Sequence, residues 1–132
     1  MIVDSSAVVA ILREEPEAEA LVRAIASADV IRMSAGTLLE TALVVDSRRN
    51  PIASRRLDEF LRESLTVIEP VTEAQVHIAR DAYRDFGKGS GHPASLNFGD
   101  LFAYALARVT GEPLLYKGDD FSQTDVPAAL SA

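Results

Sequence analysis

The sequence of 132 residues contains no cysteine and no tryptophan, and its only two histidines are His77 and His92. Without cysteine the chain forms no disulfide, no zinc–thiolate site and no thiol nucleophile. Two histidines so far apart in sequence also argue against a histidine-rich metal site. Any metal that this chain binds would therefore be a hard ion with oxygen ligands, such as Mg²⁺, Mn²⁺ or Ca²⁺.

Long hydrophobic runs and a basic leader are also missing. No apolar run approaches the ~20 residues that span a bilayer, and Asp4, Ser5 and Ser6 interrupt the opening apolar stretch. We therefore expect a cytoplasmic protein without a signal peptide and without membrane contact. The length and a hydrophobic content of 48% predict one domain, residues 1–132, with an ordinary core.

Positive charge is scarce in this chain. Thirteen Lys and Arg stand against 20 Asp and Glu, which gives a formal net charge of −7. This balance argues against a simple basic nucleic-acid binder. Two explanations remain open: a solvated acidic surface, or an acidic pocket that holds cations able to bridge to phosphates.

Short apolar segments alternate with helical patterns along the chain. The predicted strands are 1–3, 29–34, 65–70 and 112–121, and the predicted helices are 5–13, 13–29, 34–50, 52–64, 72–86 and 97–111. This alternation predicts an α/β fold with a parallel sheet covered by helices on both faces. In such sheets ligands bind at the carboxyl ends of the strands.

Local signals place several helix ends. Pro16 falls in the first turn of the second predicted helix, Ser34 is an N-cap candidate for the third, and Asn50-Pro51 is expected to stop it. Thr72 with Gln75 matches a capping box at the start of the fifth helix. Asn97 and Gly111 are the expected N-cap and stop of the sixth.

Acidic residues occupy four places that such a fold can bring together. Asp4 follows the first strand, Glu40 lies two turns into the third helix, and Asp100 lies in the first turn of the sixth. Asp119 and Asp120 follow the fourth strand. Clustered carboxylates cannot all stay ionised without compensation, and a divalent cation is the usual compensation.

Each of these acids also has an explanation without a metal. Asp4 and Asp100 can cap the helices that begin beside them. Asp119 and Asp120 can be turn residues after a glycine. Glu40 is the hardest to explain in this way, because its helical neighbours are mostly apolar and an unpaired charge there is costly. A buried salt bridge to an arginine is the alternative for Glu40.

Two further segments could contact phosphate groups. GKGSGHP lacks the spacing of a phosphate-binding loop and is interpreted as a flexible loop near the site, where Lys88 and His92 are candidates to contact a phosphate. SRRNPIASRR contains Arg48, Arg49, Arg55 and Arg56. These four form either a solvated corner or a phosphate-contacting patch.

Four segments together resemble one known family. They are MIVDSSAVVAIL, LLETALVV with Glu40, NFGDLFAYALA with Asp100, and LLYKGDDF. In this order they resemble the PIN-domain ribonucleases, and within them the VapC-type toxins of bacterial type II toxin–antitoxin modules. The resemblance covers essentially the whole chain and implies a three-layer α/β/α fold with a central parallel sheet.

The resemblance also implies the chemistry. Asp4, Glu40 and Asp100 match the first three acids of the family, as catalytic residues and as ligands of Mg²⁺, with Mn²⁺ as a substitute. For the fourth acid Asp119 is favoured over Asp120. A small hydroxyl residue of the family matches Ser6, which would steady Asp4. The implied reaction is hydrolysis of RNA, leaving a 5′-phosphate and a 3′-hydroxyl.

The family resemblance further implies a VapB-type antitoxin that neutralises the enzyme, and a homodimer within the toxin–antitoxin complex. Two alternatives remain open at this stage. One is a non-catalytic binding domain on the same scaffold. The other is a haloacid-dehalogenase-like phosphatase, although that class needs a second acid where this chain has Ser6.

Overall fold

The computed structural model describes residues 1–130, within which four short strands alternate with six helices. The strands are Ile2–Val3 (β1), Arg32–Ser34 (β2), Val67–Glu69 (β3) and Leu114–Leu115 (β4). The helices are Ser5–Leu12 (α1), Ala18–Ser27 (α2), Ala35–Asp46 (α3), Pro51–Glu63 (α4), Glu73–Phe86 (α5) and Phe98–Thr110 (α6). All strand pairs are parallel, in the order β3–β2–β1–β4. The predicted α/β fold with a parallel sheet is confirmed.

In β1 and the neighbouring edge strand β4, successive residues pack into separate cores on opposite sides of the sheet. Ile2 and Leu114 pack with α5 and α6, whereas Val3 and Leu115 pack with α1 to α4. Successive side chains of a strand point to opposite faces, so a sheet covered on both sides needs apolar residues at every position. This explains why β1 and β4 are wholly apolar and confirms the three-layer α/β/α arrangement.

Most of the predicted caps are present. Ser34 caps α3 by accepting a hydrogen bond from the backbone N–H of Gly36 at 3.2 Å. Asn97 and Asp100 form a reciprocal capping box at the start of α6. That helix ends at Gly111, whose φ of 71° lies in the left-handed region that glycine tolerates best. No helix of residues 1–130 is long and apolar enough to cross a membrane.

The predicted start of the second helix is wrong. The helix begins at Ala18 rather than at Arg13, and Pro16 lies before it rather than in its first turn. Glu14 has a φ of 54°, which breaks the helical path after α1. Because proline also disfavours a helical conformation in the residue before it, the chain cannot resume the helix until Pro16 has been passed.

Two other local predictions need correction. Asn50 and Pro51 do not simply stop α3, because Asn50 caps α4 through the N–H of Ile52 at 3.0 Å and Pro51 is the first residue of that helix. At α5 only half of the expected capping box forms. Thr72 accepts from the N–H of Gln75, but the Gln75 side chain donates to the carbonyl of Pro70 at 3.1 Å instead.

Two phenylalanines give a matched test of the core. Phe121 is 1% exposed and packs against the ring of Tyr116, whereas Phe98 is 76% exposed. We expect Phe121→Ala to lower the free energy of unfolding by about 3–5 kcal/mol, because it removes a fully buried ring. Phe98→Ala should change it by less than ~1 kcal/mol. Urea unfolding of both variants measures the difference, and equal effects would contradict this assignment of the core.

Candidate active site

Asp4 lies at the carboxyl end of β1 and is only 2% exposed. Its Oδ2 accepts hydrogen bonds from the N–H of Ser6 at 3.0 Å and from the Ser6 hydroxyl at 2.6 Å. Its Oδ1 is buried and has no hydrogen-bond partner. One oxygen of Asp4 therefore caps α1, as the explanation without a metal requires, while the other oxygen remains available to a ligand.

Ser6 connects Asp4 to the chain that leaves β4, the strand next to β1. Besides donating to Asp4, its Oγ accepts a hydrogen bond from the backbone N–H of Lys117 at 3.0 Å. Lys117 follows β4, so the chain that leads to Asp119 and Asp120 is tied to the start of α1. The expected role of Ser6 in steadying Asp4 agrees with this contact.

Glu40 lies on α3 and points toward α1 and α6. Its Oε1 accepts a hydrogen bond from the Ser5 hydroxyl at 2.6 Å. Its other oxygen occupies the space beside Gly99, where a Cβ would lie 1.5 Å from Glu40 Oε2. Glycine at position 99 thus lets this carboxylate approach the first turn of α6. The alternative of a salt bridge to an arginine is not seen within the described part of the chain.

Asp100 lies in that same first turn and is 8% exposed. Its Oδ2 accepts a hydrogen bond from the N–H of Asn97 at 2.9 Å, and its own N–H donates to the Asn97 side chain at 3.0 Å. As in Asp4, the cap uses one carboxylate oxygen. The helix-capping and ligand-binding interpretations of these two aspartates are therefore compatible.

The pKa values of these aspartates show that the acids lie within electrostatic range of one another. Burial, and to a lesser extent the charge of Glu40, raise the pKa of Asp4 to about 6, against opposing hydrogen bonds from Ser6. Burial raises the pKa of Asp100 to about 7, with further contributions from the charges of Asp4, Asp120 and Glu40. The acids predicted from separate parts of the sequence thus converge.

The structure distinguishes Asp119 from Asp120. The charge of Asp120 acts on Asp100. The charge of Asp119 instead adds to burial in raising the pKa of Tyr116. Gly118, with a φ of 96°, turns the chain just before the pair. The choice of the fourth acid stays a prediction: the sequence favours Asp119, and the charge of Asp120 is the one that reaches Asp100.

The donor set of this cluster fits a hard divalent ion in three respects. All donors are carboxylate or hydroxyl oxygens, a buried Asp4 oxygen lacks a partner, and no Lys or Arg within residues 1–130 approaches Asp4, Glu40 or Asp100 to 4 Å. No three acidic or histidine side chains of those residues converge closely enough to enclose an ion by themselves. Such a site suits Mg²⁺, which usually keeps several waters and takes only one or two carboxylates.

The glycine-rich segment lies beside the start of α6, since Lys88 lines one cavity together with Asn97 and Phe98. Its base is closed by backbone hydrogen bonds between Lys88 and Leu96 and between Leu96 and Phe86, both at 2.8 Å. The His92 ring packs edge-on against Phe86 with centroids 4.9 Å apart. His77 is exposed and lies 3.5 Å from Glu73.

Sequence reasoning missed two residues that shape the cluster, Ser5 and Gly99. Ser5 stands beside Ser6, but its hydroxyl binds Glu40, a contact between α1 and α3 that no pattern in the sequence indicates. Gly99 has a signal that was overlooked. Glycine in the first turn of a helix lowers helix propensity, so its presence there indicates a close approach by another group.

Comparison with known proteins agrees with this fold and cluster. The sequence model of the PIN domain matches residues 1–127. The chain is 58% identical to ribonuclease VapC28 of Mycobacterium tuberculosis over 98% of both chains. It is 48% identical to ribonuclease VapC of Mycolicibacterium smegmatis, over 97% of this chain and 98% of that one.

A solved structure shares the fold at low sequence identity. It is that of Mycobacterium tuberculosis VapC20, described as a sarcin–ricin loop cleaving toxin. The TM-score is 0.74 at 21% identity, with 95% of each chain covered.

The chain is therefore a PIN-domain protein. Within that class it belongs to the VapC ribonuclease family. Membership leaves the haloacid-dehalogenase-like alternative without support, and the position where that class needs a second acid holds Ser6, which binds Asp4.

The raised pKa values predict how the metal-free protein responds to pH. Between about pH 4 and pH 7 the folded chain binds more protons than the unfolded chain, so these carboxyls make stability fall as pH rises through that window. We expect Asp100→Asn, which removes a buried charge, to raise Tm in EDTA by roughly 4 °C at about pH 8. The gain should shrink toward about pH 5, where folded Asp100 is already protonated.

Asp119→Asn is the matched control, because it removes an exposed carboxylate outside the buried cluster and should leave Tm nearly unchanged. Thermal unfolding followed by circular dichroism at both pH values makes the comparison. An Asp100→Asn variant that is destabilised, or whose gain is the same at both pH values, would contradict the account of the cluster.

Proposed function

We propose that this protein is the toxin of a type II toxin–antitoxin system and acts as a Mg²⁺-dependent endoribonuclease, with Mn²⁺ as a substitute. The observation that carries the proposal is the free, buried Oδ1 of Asp4 beside Asp100, in a carboxylate cluster that no side-chain cation of residues 1–130 neutralises. The names of the relatives, which are ribonucleases, support RNA as the substrate.

In this proposal Asp4 and Asp100 hold the ion, each through the oxygen that its cap leaves free, and Glu40 and Asp120 complete the acidic surround. When bound, the ion supplies positive charge and activation of water for hydrolysis of a phosphodiester. The proposed products carry a 5′-phosphate and a 3′-hydroxyl.

The protein's own contribution is positioning. Ser6 holds the Asp4 carboxylate from one side, and Ser5 holds Glu40 from another. The N-terminal turns of α1 and α6 fix the two aspartates before any ligand arrives. A preorganised set of ligands of this kind avoids reorganisation during the reaction.

A VapB-type antitoxin is the proposed protein partner, and a homodimer is the proposed form of the toxin in the complex. Large apolar side chains on α3 and α4 support a protein-binding surface, because Leu39, Leu43 and Ile52 are all exposed. Contiguous exposed apolar area of this kind marks interaction sites in soluble proteins.

The direct test of the enzyme uses purified, antitoxin-free protein and total cellular RNA with Mg²⁺. We expect discrete cleavage that EDTA abolishes, with Mn²⁺ restoring it. Asp4→Asn and Asp100→Asn should lower the rate by at least roughly 100-fold, because each removes a ligand of the ion. RNA that stays intact with every metal would instead favour the non-catalytic binding domain, and equal cleavage by Asp100→Asn would indicate a contaminating nuclease.

The adjacent aspartates after β4 provide a sharper test of the site. Asp120→Asn should slow cleavage roughly tenfold, since Asp120 acts on Asp100 and helps to orient the cluster. Asp119→Asn removes the same charge one residue earlier and should change the rate by less than about twofold. The two variants are compared on one cleaved RNA at saturating Mg²⁺. A larger effect at Asp119 would restore the assignment that the sequence favoured.

A further inference from the structure

A small pocket lies beyond the carboxylate cluster, where α1, α3 and α4 meet. Arg13, Arg48 and Arg56 line it from three different segments. Its remaining lining is mostly apolar: Val9, Leu12, Val44, Val45 and Ala53, together with Asn50. We call it the arginine pocket. Its volume of about 150 Å³ compares with ~30 Å³ for a water molecule in the liquid, so a phosphate group fits.

A line of residues on α1 leads from the carboxylate cluster to this pocket. Ser5 and Val9 lie on one face of α1, and Arg13, four residues further on, is the C-cap at which the helix ends. Ser5 binds Glu40 at 2.6 Å, whereas Val9 and Arg13 line the pocket. One helix face therefore begins at the cluster and ends at a guanidinium.

A second line on α3 runs beside the first. Glu40, Val44 and Arg48 have the same spacing of four residues, and the last two line the pocket. From Glu40 to the end of α3 at Asp46 the helix rises by about 9 Å, and Arg48 lies two residues beyond that end. The two helices are joined by the Ser5–Glu40 hydrogen bond, so their faces form one seam that connects the cluster with the arginine pocket.

The guanidinium groups of the pocket are largely free of acidic partners. Within residues 1–130, Arg13 and Arg48 have no carboxylate within 4 Å, and Arg56 has only Glu14 at 3.9 Å. In a chain of net charge −7, three arginines converging without close ion pairs make a local site for an anion. Guanidinium groups favour phosphate because their fork of donors matches its oxygens.

We propose that the arginine pocket binds a backbone phosphate of the RNA strand, away from the scissile phosphodiester of the same strand that the carboxylate cluster holds. This inference rests on the proposed ribonuclease function. The continuous seam favours RNA over an acidic protein segment, because one polyanionic strand can occupy both ends of it at once. The apolar lining suits the sugar or base beside the bound phosphate.

The two arginine doublets of this region supply a matched experiment. In each doublet one residue lines the pocket and its neighbour does not: Arg48 beside Arg49, and Arg56 beside Arg55. Binding of fluorescent single-stranded RNA of about 12 nucleotides is measured by anisotropy in EDTA, which stops metal-dependent hydrolysis. The full chain is used as wild type, as the pocket variant Arg48→Gln/Arg56→Gln, and as the control variant Arg49→Gln/Arg55→Gln.

We expect the pocket variant to bind roughly tenfold more weakly, and its slope of log affinity against log salt to fall by about 0.7, because one phosphate contact is lost. The control variant should stay within about twofold of wild type, because it loses the same charge away from the pocket. Thermal unfolding checks that both variants fold. Equal weakening by both doublets, or no saturable binding by wild type, would overturn the proposal.

Two further outcomes separate this inference from its rivals. A fluorescent hexaglutamate peptide is titrated in parallel, and loss of peptide binding with RNA binding intact would assign the pocket to an acidic protein segment. Cleavage with Mg²⁺ is measured separately. If the protein cleaves RNA but the pocket variant binds RNA as well as wild type, the proposed role of the arginine pocket is wrong and the ribonuclease function stands. If the pocket variant binds RNA more weakly but wild type does not cleave it, the proposed ribonuclease function is wrong and the role of the pocket in binding stands.

Discussion

The hydrogen bonds from Ser6 to one oxygen of Asp4 hold the centre of this structure together. They close the junction between β1 and α1, and the same hydroxyl accepts the N–H of Lys117 beyond β4. Because a single carboxylate oxygen satisfies both donors of Ser6, the second oxygen is left buried and without a partner. The position of α1, the path of the chain toward Asp120 and the free ligand atom all follow from this one arrangement.

In Asp100, as in Asp4, one carboxylate oxygen caps a helix and the other is left for a ligand. Its capping box with Asn97 uses one oxygen and fixes the side chain at the start of α6. In both places the local stability of a helix end and the availability of a ligand atom come from the same carboxylate. The cost is electrostatic, since burial and mutual repulsion raise both pKa values. A bound cation would relieve this cost. The metal-free fold is therefore destabilised at the same carboxylates that are positioned to bind an ion.

Much of the fold could be predicted because its signals are local. Apolar segments alternating with helical patterns indicate a parallel α/β sheet. Asn97 marks the start of α6 through the hydrogen bond of its side chain, and Gly111 marks the end through its positive φ. Asp4 and Asp100 were found for the same reason, since each stands where a helix begins. The start of α2 was missed because it depends on the left-handed conformation of Glu14, which no composition rule predicts.

The finer features of the cluster depend on contacts between distant parts of the chain. Whether Asp119 or Asp120 faces Asp100 is decided by the turn at Gly118, and a shift of one residue moves a side chain to another direction. The contact between Glu40 and Gly99 joins residues 59 positions apart. The sequence shows that Glu40 is an unusual residue for its position in α3 and that Gly99 is unusual in α6. Only the packing of α3 against α6 shows that the glycine is there to make room for the Glu40 carboxylate.

The net charge of the chain raises a question that the spatial arrangement answers. An acidic protein repels RNA on average, yet hydrolysis needs a close approach only along one path. Acidic groups are concentrated at one end of the α1–α3 seam, where an ion would reverse their effect, and the arginines of the pocket lie at the other end, with Glu14 as their one carboxylate partner within 4 Å among residues 1–130. The positions of the charged groups along the seam therefore say more about RNA binding than the net charge of the chain does. A strand that contacts both ends meets positive charge twice, while the rest of the surface discourages nonspecific binding.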